Sequence, residues 1–485
     1  MARDSGGERR LPRSSFEARF EHFLTSLRRE ILSGERRPGE LLDSESTLTR
    51  KYQLSLGSVR KGLQMLVNEG LIEKAHGRGT VVRYTGATAR DVVKFAVYSP
   101  VIEGPAIRAI VQDFEAANPS LHVSIIRLAR VGFDETLIDL VRSGDGPDLI
   151  FASNRAFAEL AQSVPLLDLE AALGAEVRAW EFYPKVDQCF RVGGRLLAAP
   201  LVFAPVVLAY NQDLFDRAGI PYPDGTWTWH TLAETARALT KGGSAESPGQ
   251  YGFGLSLQAH RWTVFLLQNE ARIYPGAGAE ERRRVLEAVG YAHRLLFRDR
   301  VAPLGDASTG MSQESRFAEG RVAMILTSYQ ALGELTNLPF RMDITVPPKG
   351  STRATLLIAA GLAVNAASPR KEAALSLLRH FMRAESQRII QAQTCSLPSR
   401  REICEGIPGI DLSGHPSRHP ASYHLYRQVL PYAHTLDALG RWPHLQAFFS
   451  KLHPVWNNLA TPEEGCRRAF DELERMGAAH ATVTS

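Results

Sequence analysis

A chain of 485 residues is long enough for about three domain-sized units, and with 44% hydrophobic and 22% charged residues it can build several packed cores. This composition excludes a disordered chain and a collagen-like repeat. The four cysteines are too few and too scattered for a disulfide-stapled scaffold, and none forms a Cys-x-x-Cys pair of the kind found in thiolate zinc sites. Residues 1–90 carry 17 Lys and Arg against 11 Asp and Glu, whereas the remainder carries 40 against 41, as expected if only the N-terminal unit meets a polyanion.

The N-terminal segment and the apolar stretches predict neither export nor membrane insertion. Residues 1–13 are polar and Arg-rich, and we expect them to be flexible. The longest apolar stretch, residues 196–210, contains two prolines and is shorter than the roughly 20 residues of a spanning helix. We therefore expect a cytoplasmic protein with no membrane partner.

Residues 14–85 predict three helices followed by a β-hairpin. Apolar residues recur with helical spacing in residues 16–31, and Ser44 and Ser55 are suited to cap a second and a third helix. Two short β-type runs then flank a basic tip at residues 76–79. Three helices and such a hairpin form a winged helix-turn-helix.

Short motifs follow one another along this unit in a specific order. They are Ser33-Gly34, Pro38-Gly39, Leu42-x-Ser44-Glu45, Val59-Arg60-x-x-Leu63, Glu69-Gly70-Leu71-Ile72 and Gly77-Arg78-Gly79-Thr80. In this order they resemble the DNA-binding domain of GntR-type bacterial transcription regulators. The resemblance implies binding to double-stranded operator DNA, and family members generally form homodimers.

The predicted recognition helix begins after Ser55. Its N-terminus points unpaired N–H groups and a positive dipole end at phosphates, and its first outward side chains can reach base edges in the major groove. Arg60 is the best candidate for a bidentate guanine contact or a phosphate contact. The predicted DNA-binding residues are Ser44, Ser58, Arg60, Lys61, His76, Gly77 and Arg78. The alternative for Arg60 and Lys61 is a solvated helix face.

Two positions depart from the family pattern. Ser46 stands where members usually carry Arg after the Ser-Glu pair, and Leu56 stands where many carry Arg early in the recognition helix. DNA binding is therefore part of the prediction, whereas the operator sequence is not. Leu56 could contact a thymine methyl group, which also carries sequence information.

Beyond a small-residue linker at residues 86–91, residues 92–485 alternate strands with helices. β-type runs at residues 92–97, 121–127 and 148–151 are separated by helical patterns. This alternation indicates right-handed βαβ units and an open α/β sheet.

A second set of motifs extends over this region. They include Asn118-Pro119-x-Leu121-x-Val123, Gly146-Pro147-Asp148-Leu149, Tyr210-Asn211-x-Asp213-Leu214-Phe215, Thr226-Trp227-Thr228-Trp229, Tyr251-Gly252-Phe253 and Gly320-Arg321-Val322-Ala323-Met324. They resemble extracellular solute-binding proteins of sugar transporters, which close two α/β lobes on a small molecule. The predicted fold class is thus multidomain: an N-terminal winged helix-turn-helix followed by a two-lobed α/β domain like the periplasmic binding proteins.

Ligands of open α/β sheets bind beyond the carboxyl ends of the strands, so the strand-end loops are the predicted ligand site. The predicted ligand-binding residues are Ser99, Ser153, Asn154, Phe203, Trp262 and Tyr329. Flat aromatic faces with hydroxyl and amide groups around them suit a sugar. The alternative is that the polar residues cap helices and that the aromatic rings pack in the core.

No metal site, cofactor or catalytic residue is predicted. Pro416 and Pro420 break any helix that would align His415, His419 and His424, and no phosphate-binding glycine motif or nucleophile elbow occurs. The leading hypothesis is a homodimeric one-component transcription regulator with a sugar as its effector. Two alternatives remain: a solute-binding protein of an ABC-type sugar transport system with an accessory DNA-binding domain, and an enzyme that uses the interlobe cleft.

Overall fold

The computed structural model describes residues 13–32, 35–68, 71–75, 79–83, 91–99, 101, 103–155, 157–242, 249–303, 312–405 and 420–483. The chain divides into two compact units, each assembled from separate segments. The first unit contains Met1–Ala152, Ser163–Leu167 and Leu362–Phe381, and the second contains Ser153–Gln162, Asp168–Gly361 and Met382–Ser485. Among the helices of the described ranges, none combines the length and the apolar character that crossing a bilayer requires.

The first unit begins with the predicted winged helix-turn-helix, which is confirmed. Its elements are α1 (Arg13–Leu32), α2 (Glu45–Tyr52), α3 (Leu56–Asn68), β1 (Ile72–Ala75) and β2 (Gly79–Val82). The two strands pair antiparallel, from Ile72 opposite Val82 to Ala75 opposite Gly79. The expected caps are present, because Ser44 Oγ accepts a hydrogen bond from Thr47 N and Ser55 Oγ accepts one from Ser58 N, each at 3.2 Å.

A parallel sheet follows the winged helix in the same unit. Its strands are β3 (Asp91–Ser99), β4 (Leu121–Ala129) and β5 (Leu149–Ser153), with β3 in the middle, and the intervening helices are α4 (Gly104–Ala117) and α5 (Phe133–Arg142). The helix Lys371–Phe381 packs against α4. The expected βαβ alternation is therefore present. Residues 84–90, which include residues 86–90 of the predicted linker, lie outside the described residues, and Asp91 is already the first residue of β3.

The hydrophobic core of the winged helix continues into this sheet. Phe23, Leu48 and Val59 are fully buried in that core, and Val92 of β3 joins the same cluster with only 4% of its surface exposed. Helix α1 also lies against β4. The DNA-binding fold and the first α/β sheet therefore share apolar packing.

Gly62 allows α3 to approach α1 closely. A Cβ atom on Gly62 would lie 2.5 Å from Cε1 of Phe23, whereas a Cβ on Gly57 of the same helix would meet only Ser55 Oγ, at 3.9 Å. Helix propensity alone predicts that alanine stabilises both positions by roughly 0.5–1 kcal/mol. We expect Gly62→Ala to destabilise instead, by about 1–3 kcal/mol, because the buried Phe23 ring has no room to move. Thermal unfolding checks this against Gly57→Ala, and a higher melting temperature for both variants would contradict it.

The second unit is built around a long strand, Ala199–Asn211, which is buried along its whole length. The strands Met324–Ser328, Met342–Thr345 and Leu397–Pro398 pair with it antiparallel. Four helices that pack against one another in its core are Ala259–Gln268, Ala279–Phe297, Trp442–Lys451 and Pro462–Val483. The remaining strands are Arg191–Val192, Arg195–Leu196, Thr355–Val364 and Ala433–His434. The other α-helices that the structure describes in this unit are Phe157–Ser163, Leu169–Leu173, Ala175–Ala179, Pro184–Gln188, Gln212–Ala218, Trp229–Leu239, Gln313–Ala318, Ala384–Gln393, Arg401–Glu405, Tyr426–Val429 and His453–Trp456.

Candidate functional site

The candidate DNA-binding surface combines the N-terminal turns of α2 and α3. Arg60 and Lys61 are exposed on α3, and Leu56 at its first position is 42% exposed. The apolar side chain of Leu56 is thus available for the predicted contact with a thymine methyl group. These side chains share the surface with Ser44 and Ser58, the other two predicted residues of the helices.

The two serines are hydrogen-bonded within their own helix starts. Ser44 Oγ lies 2.8 Å from Ser46 Oγ and 2.9 Å from Thr47 Oγ1, and Ser58 Oγ lies 2.8 Å from Ser55 Oγ. A hydroxyl group is one donor and two acceptors, so Ser58 keeps capacity for a phosphate oxygen, whereas the Thr47 amide and the two neighbouring hydroxyls occupy all three sites of Ser44 Oγ. Ser46 places a short hydroxyl beside the cap where the family usually has an arginine.

Arg60 is paired within the domain. Its Nε donates to Glu45 Oε2 at 2.7 Å, and the two side chains are 60% and 30% exposed. This ion pair joins the first turn of α2 to α3. Glu45 was part of the motif but was not among the predicted DNA-binding residues, because the spacing of a motif does not show which side chain its carboxylate meets.

The tip of the wing lies outside the described residues. This range includes His76, Gly77 and Arg78, whose contacts with DNA stay a prediction. β1 ends at Ala75 and β2 begins at Gly79, on either side of this range. Gly79 follows it with φ +103°, a left-handed conformation that favours glycine.

The predicted polar ligand residues at the strand ends are partly engaged by the backbone. Ser99 is the last residue of β3, and its side chain lies outside the described residues. Ser153 Oγ accepts a hydrogen bond from Arg155 N at 3.2 Å. Asn154 is 7% exposed; its Oδ1 accepts from Ala359 N and its Nδ2 donates to Leu357 O, each at 3.0 Å. Asn154 therefore anchors a neighbouring strand, and its amide is occupied within the protein.

The three predicted aromatic residues are core residues of the second unit. Phe203, Trp262 and Tyr329 are at most 1% exposed. Their ring partners, at centroid distances of 5.2–5.4 Å, are Tyr183 for Phe203, Phe449 and Trp456 for Trp262, and Tyr423 for Tyr329. The Tyr329 hydroxyl also donates to Tyr423 O at 2.7 Å. The geometry does not support the prediction that these rings stack on a sugar, because side chains of the protein already cover them.

Polar residues directly precede two of these aromatic residues in the chain, Arg261 before Trp262 and Ser328 before Tyr329, and the sequence did not predict their pairing. Arg261 Nη2 contacts Glu314 Oε1 at 3.1 Å and Ser328 Oγ at 3.4 Å, and Thr327 Oγ1 donates to Glu314 Oε1 at 3.0 Å. The Arg261 and Glu314 side chains are 6% and 10% exposed. This polar cluster, Arg261–Glu314–Thr327–Ser328, includes the last two residues of the strand Met324–Ser328. The partners come from three chain segments, so no local motif identifies them.

A separate cavity of about 610 Å³ lies within the second unit. It is lined by Tyr183, Pro184, Lys185, Glu405, Arg427, Leu430 and Pro431. Lys185 Nζ donates to Ala433 O at 3.0 Å, and burial lowers the pKa of this amine. None of the predicted ligand residues lines this cavity.

Within the described parts of the chain, no group of three His, Cys, Asp or Glu side chains is arranged to hold a metal ion. His415 and His419 lie outside those parts. All four cysteines are unpaired thiols, and burial raises the pKa of Cys404 to about 11.

Comparison with known proteins matches two parts of the chain to two protein families. The family model described as "Bacterial extracellular solute-binding protein" matches residues 98–388, and the model described as "Bacterial regulatory proteins, gntR family" matches residues 21–82. A binding protein of Brucella abortus (strain 2308) is 22% identical over 318 residues, which cover 63% of this chain and 71% of that protein.

Two solved structures show the same two-lobed fold. An ABC substrate-binding protein of Listeria monocytogenes in complex with cycloalternan has 23% identity and a TM-score of 0.69, over 80% of this chain and 99% of that one. UgpB of Mycobacterium tuberculosis in complex with glycerophosphocholine has 18% identity and a TM-score of 0.68, over 81% and 99%. The predicted fold class is confirmed. The chain belongs to the bacterial extracellular solute-binding protein family and carries a DNA-binding region of the GntR family of bacterial regulators at its N-terminal end.

Proposed function

We propose that this protein is a one-component transcription regulator: α3 and the wing bind double-stranded operator DNA, and the solute-binding part binds a sugar or oligosaccharide that changes the affinity for the operator. The observation that carries the proposal is the shared packing of the two functional parts. Val92 lies in the core of the winged helix, although it belongs to the first strand of the α/β sheet.

Strand β3 is a direct physical link between the two proposed activities. Val92 near its amino end packs in the winged-helix core, and Ser99 at its carboxyl end is where a ligand of an open α/β sheet is expected. At about 3.3 Å per residue these positions are roughly 23 Å apart on one rigid strand. A ligand that shifts this sheet would therefore shift the winged helix packed on it.

The proposal includes a homodimer in the cytoplasm. One winged helix reads only a few base pairs, and half-sites spaced by a helical turn require a two-fold dimer. Operator DNA is in the cytoplasm, so the protein must act there. The transport alternative does not account for a winged-helix core that is completed by a strand of the solute-binding domain.

The test measures coupling between the two ligands. A panel containing malto-oligosaccharides, cycloalternan and glycerophosphocholine is screened against the full-length protein by thermal shift, and a preferred duplex is selected from a random library. Calorimetric titration of the stabilising compound is then run with and without that duplex. Because coupling is reciprocal, we expect its affinity to change by about 5–150-fold, the same factor by which it changes DNA affinity.

Neighbouring valines on β3 provide a matched control for this experiment. Val92 and Val93 are both buried, but successive side chains of a strand point to opposite faces, and only Val92 belongs to the winged-helix core. We expect Val92→Ala to reduce the coupling factor and Val93→Ala to preserve it. Identical ligand affinity with and without the duplex in the wild type would contradict the proposed function.

A further inference from the structure

The pairing of Arg60 leaves one defined edge of its guanidinium group for a ligand. A guanidinium is a planar fork with five N–H donors, and it can make two parallel hydrogen bonds either through its Nε side or through the Nη1–Nη2 end. In this structure Nε of Arg60 donates to Glu45 Oε2 at 2.7 Å. The Nε side is therefore directed at Glu45, and the Nη1–Nη2 end is the edge available for a base.

Both partners of this pair are held by anchored helices. Glu45 lies in the first turn of α2 directly after the N-cap Ser44, and α2 is fixed in the core by Leu48, which is fully buried. Arg60 follows the fully buried Val59 on α3. Since both backbones are fixed, the ion pair selects one orientation of an otherwise flexible arginine. Ordering a side chain before it binds reduces the entropy that binding costs.

We infer that Glu45 is a specificity-determining positioning residue, which holds Arg60 through Nε so that its Nη1–Nη2 end can contact O6 and N7 of a guanine in the major groove. This inference rests on the proposed DNA-binding function. A guanine presents these two acceptors side by side, and no other base offers the same pair in the major groove.

Because Glu45 is negatively charged, the inference predicts the direction in which non-specific affinity and discrimination each change. A carboxylate on a surface that faces phosphates opposes DNA binding of any sequence, because it reduces the positive charge that releases counterions. Glu45 should therefore lower non-specific affinity while raising discrimination for guanine. A role limited to joining α2 to α3 would leave the ratio of specific to non-specific affinity unchanged.

The experiment uses full-length protein and a duplex selected from a random 20-base-pair library. Binding is measured by anisotropy to this duplex, to its single guanine-to-adenine replacements, to versions with 7-deazaguanine, which lacks the N7 acceptor, and to a scrambled duplex. For Glu45→Gln we expect affinity for the scrambled duplex to rise about 2–5-fold, and discrimination at one guanine to fall about 5–10-fold, within the roughly 5–150-fold range of a bidentate contact. In Glu45→Gln, replacing guanine by 7-deazaguanine at that same position should cost less affinity than it does in the wild type.

Two further variants separate the explanations. Glu73→Gln removes an exposed carboxylate of β1 whose side chain is 53% exposed, so it should raise affinity for all duplexes without changing discrimination. Glu45→Asp keeps the charge but shortens the reach to Arg60, so it should lose discrimination without the rise in non-specific affinity. Unchanged discrimination in both Glu45 variants would overturn the inference, and a wild-type protein that enriches no sequence would instead overturn the proposed function.

Discussion

Arg60→Ala is expected to weaken binding to the preferred duplex by about 1–3 kcal/mol per half-site. It is also expected to reduce discrimination between bases at one position of the duplex. The truncation removes the base contact and also leaves Glu45, 30% exposed, facing the phosphates without its partner. In a homodimer on two separated half-sites the two losses add roughly, because distant contacts to DNA are nearly independent. Gel-shift titration of wild type and variant at one fixed salt concentration measures the effect.

Lys61→Ala is the matched control for this prediction, since Lys61 is the next residue of α3 and is also exposed. If Lys61 contacts only phosphate, its removal should weaken binding to all duplexes alike. It should also reduce the slope of log affinity against log salt concentration by about one unit. If Arg60→Ala retains the affinity and sequence preference of the wild type, Arg60 does not belong to the interface.

Glu314→Ala is expected to destabilise the protein by about 3–5 kcal/mol, the largest effect of any substitution proposed for the second unit. The carboxylate accepts hydrogen bonds from Arg261 and Thr327, and both charged side chains are at most 10% exposed. Its removal leaves the Arg261 guanidinium buried without a counter-charge, and desolvating an unpaired charge is expensive. Chemical denaturation of the full-length protein, followed by tryptophan fluorescence, measures the loss.

Two comparisons make this prediction specific. Glu280 also pairs with arginines, but its side chain is 53% exposed, so Glu280→Ala should leave the denaturation midpoint nearly unchanged. The double variant Arg261→Met with Glu314→Leu removes both charges and should recover much of the stability. A Glu314→Ala variant as stable as the wild type would mean that Arg261 is well solvated. Loss of sugar binding in a stable double variant would assign the cluster to the ligand site.

The sequence was most informative where structure is determined by neighbours along the chain. The caps at Ser44 and Ser55, the helical spacing of apolar residues in α1 and the hairpin of the wing are all local features, and the structure confirms them. The first three strands of the α/β region were also predicted to within two residues at each end, because βαβ alternation is readable from periodicity. The burial of the candidate ligand residues was not readable in this way. The rings of Trp262 and Tyr329 pack inward, while the preceding residues Arg261 and Ser328 belong to the polar cluster.

By itself, the sequence determined that this chain has a winged helix-turn-helix followed by a solute-binding fold, and that the N-terminal half of α3 carries the basic side chains Arg60 and Lys61. Only the tertiary structure showed that Arg60 is held by Glu45, that Asn154 anchors a strand, and that Val92 completes the winged-helix core. The physical reason is that periodicity and capping act over a few residues. Burial and the pairing of side chains depend on segments that are far apart in the chain and meet only when it folds.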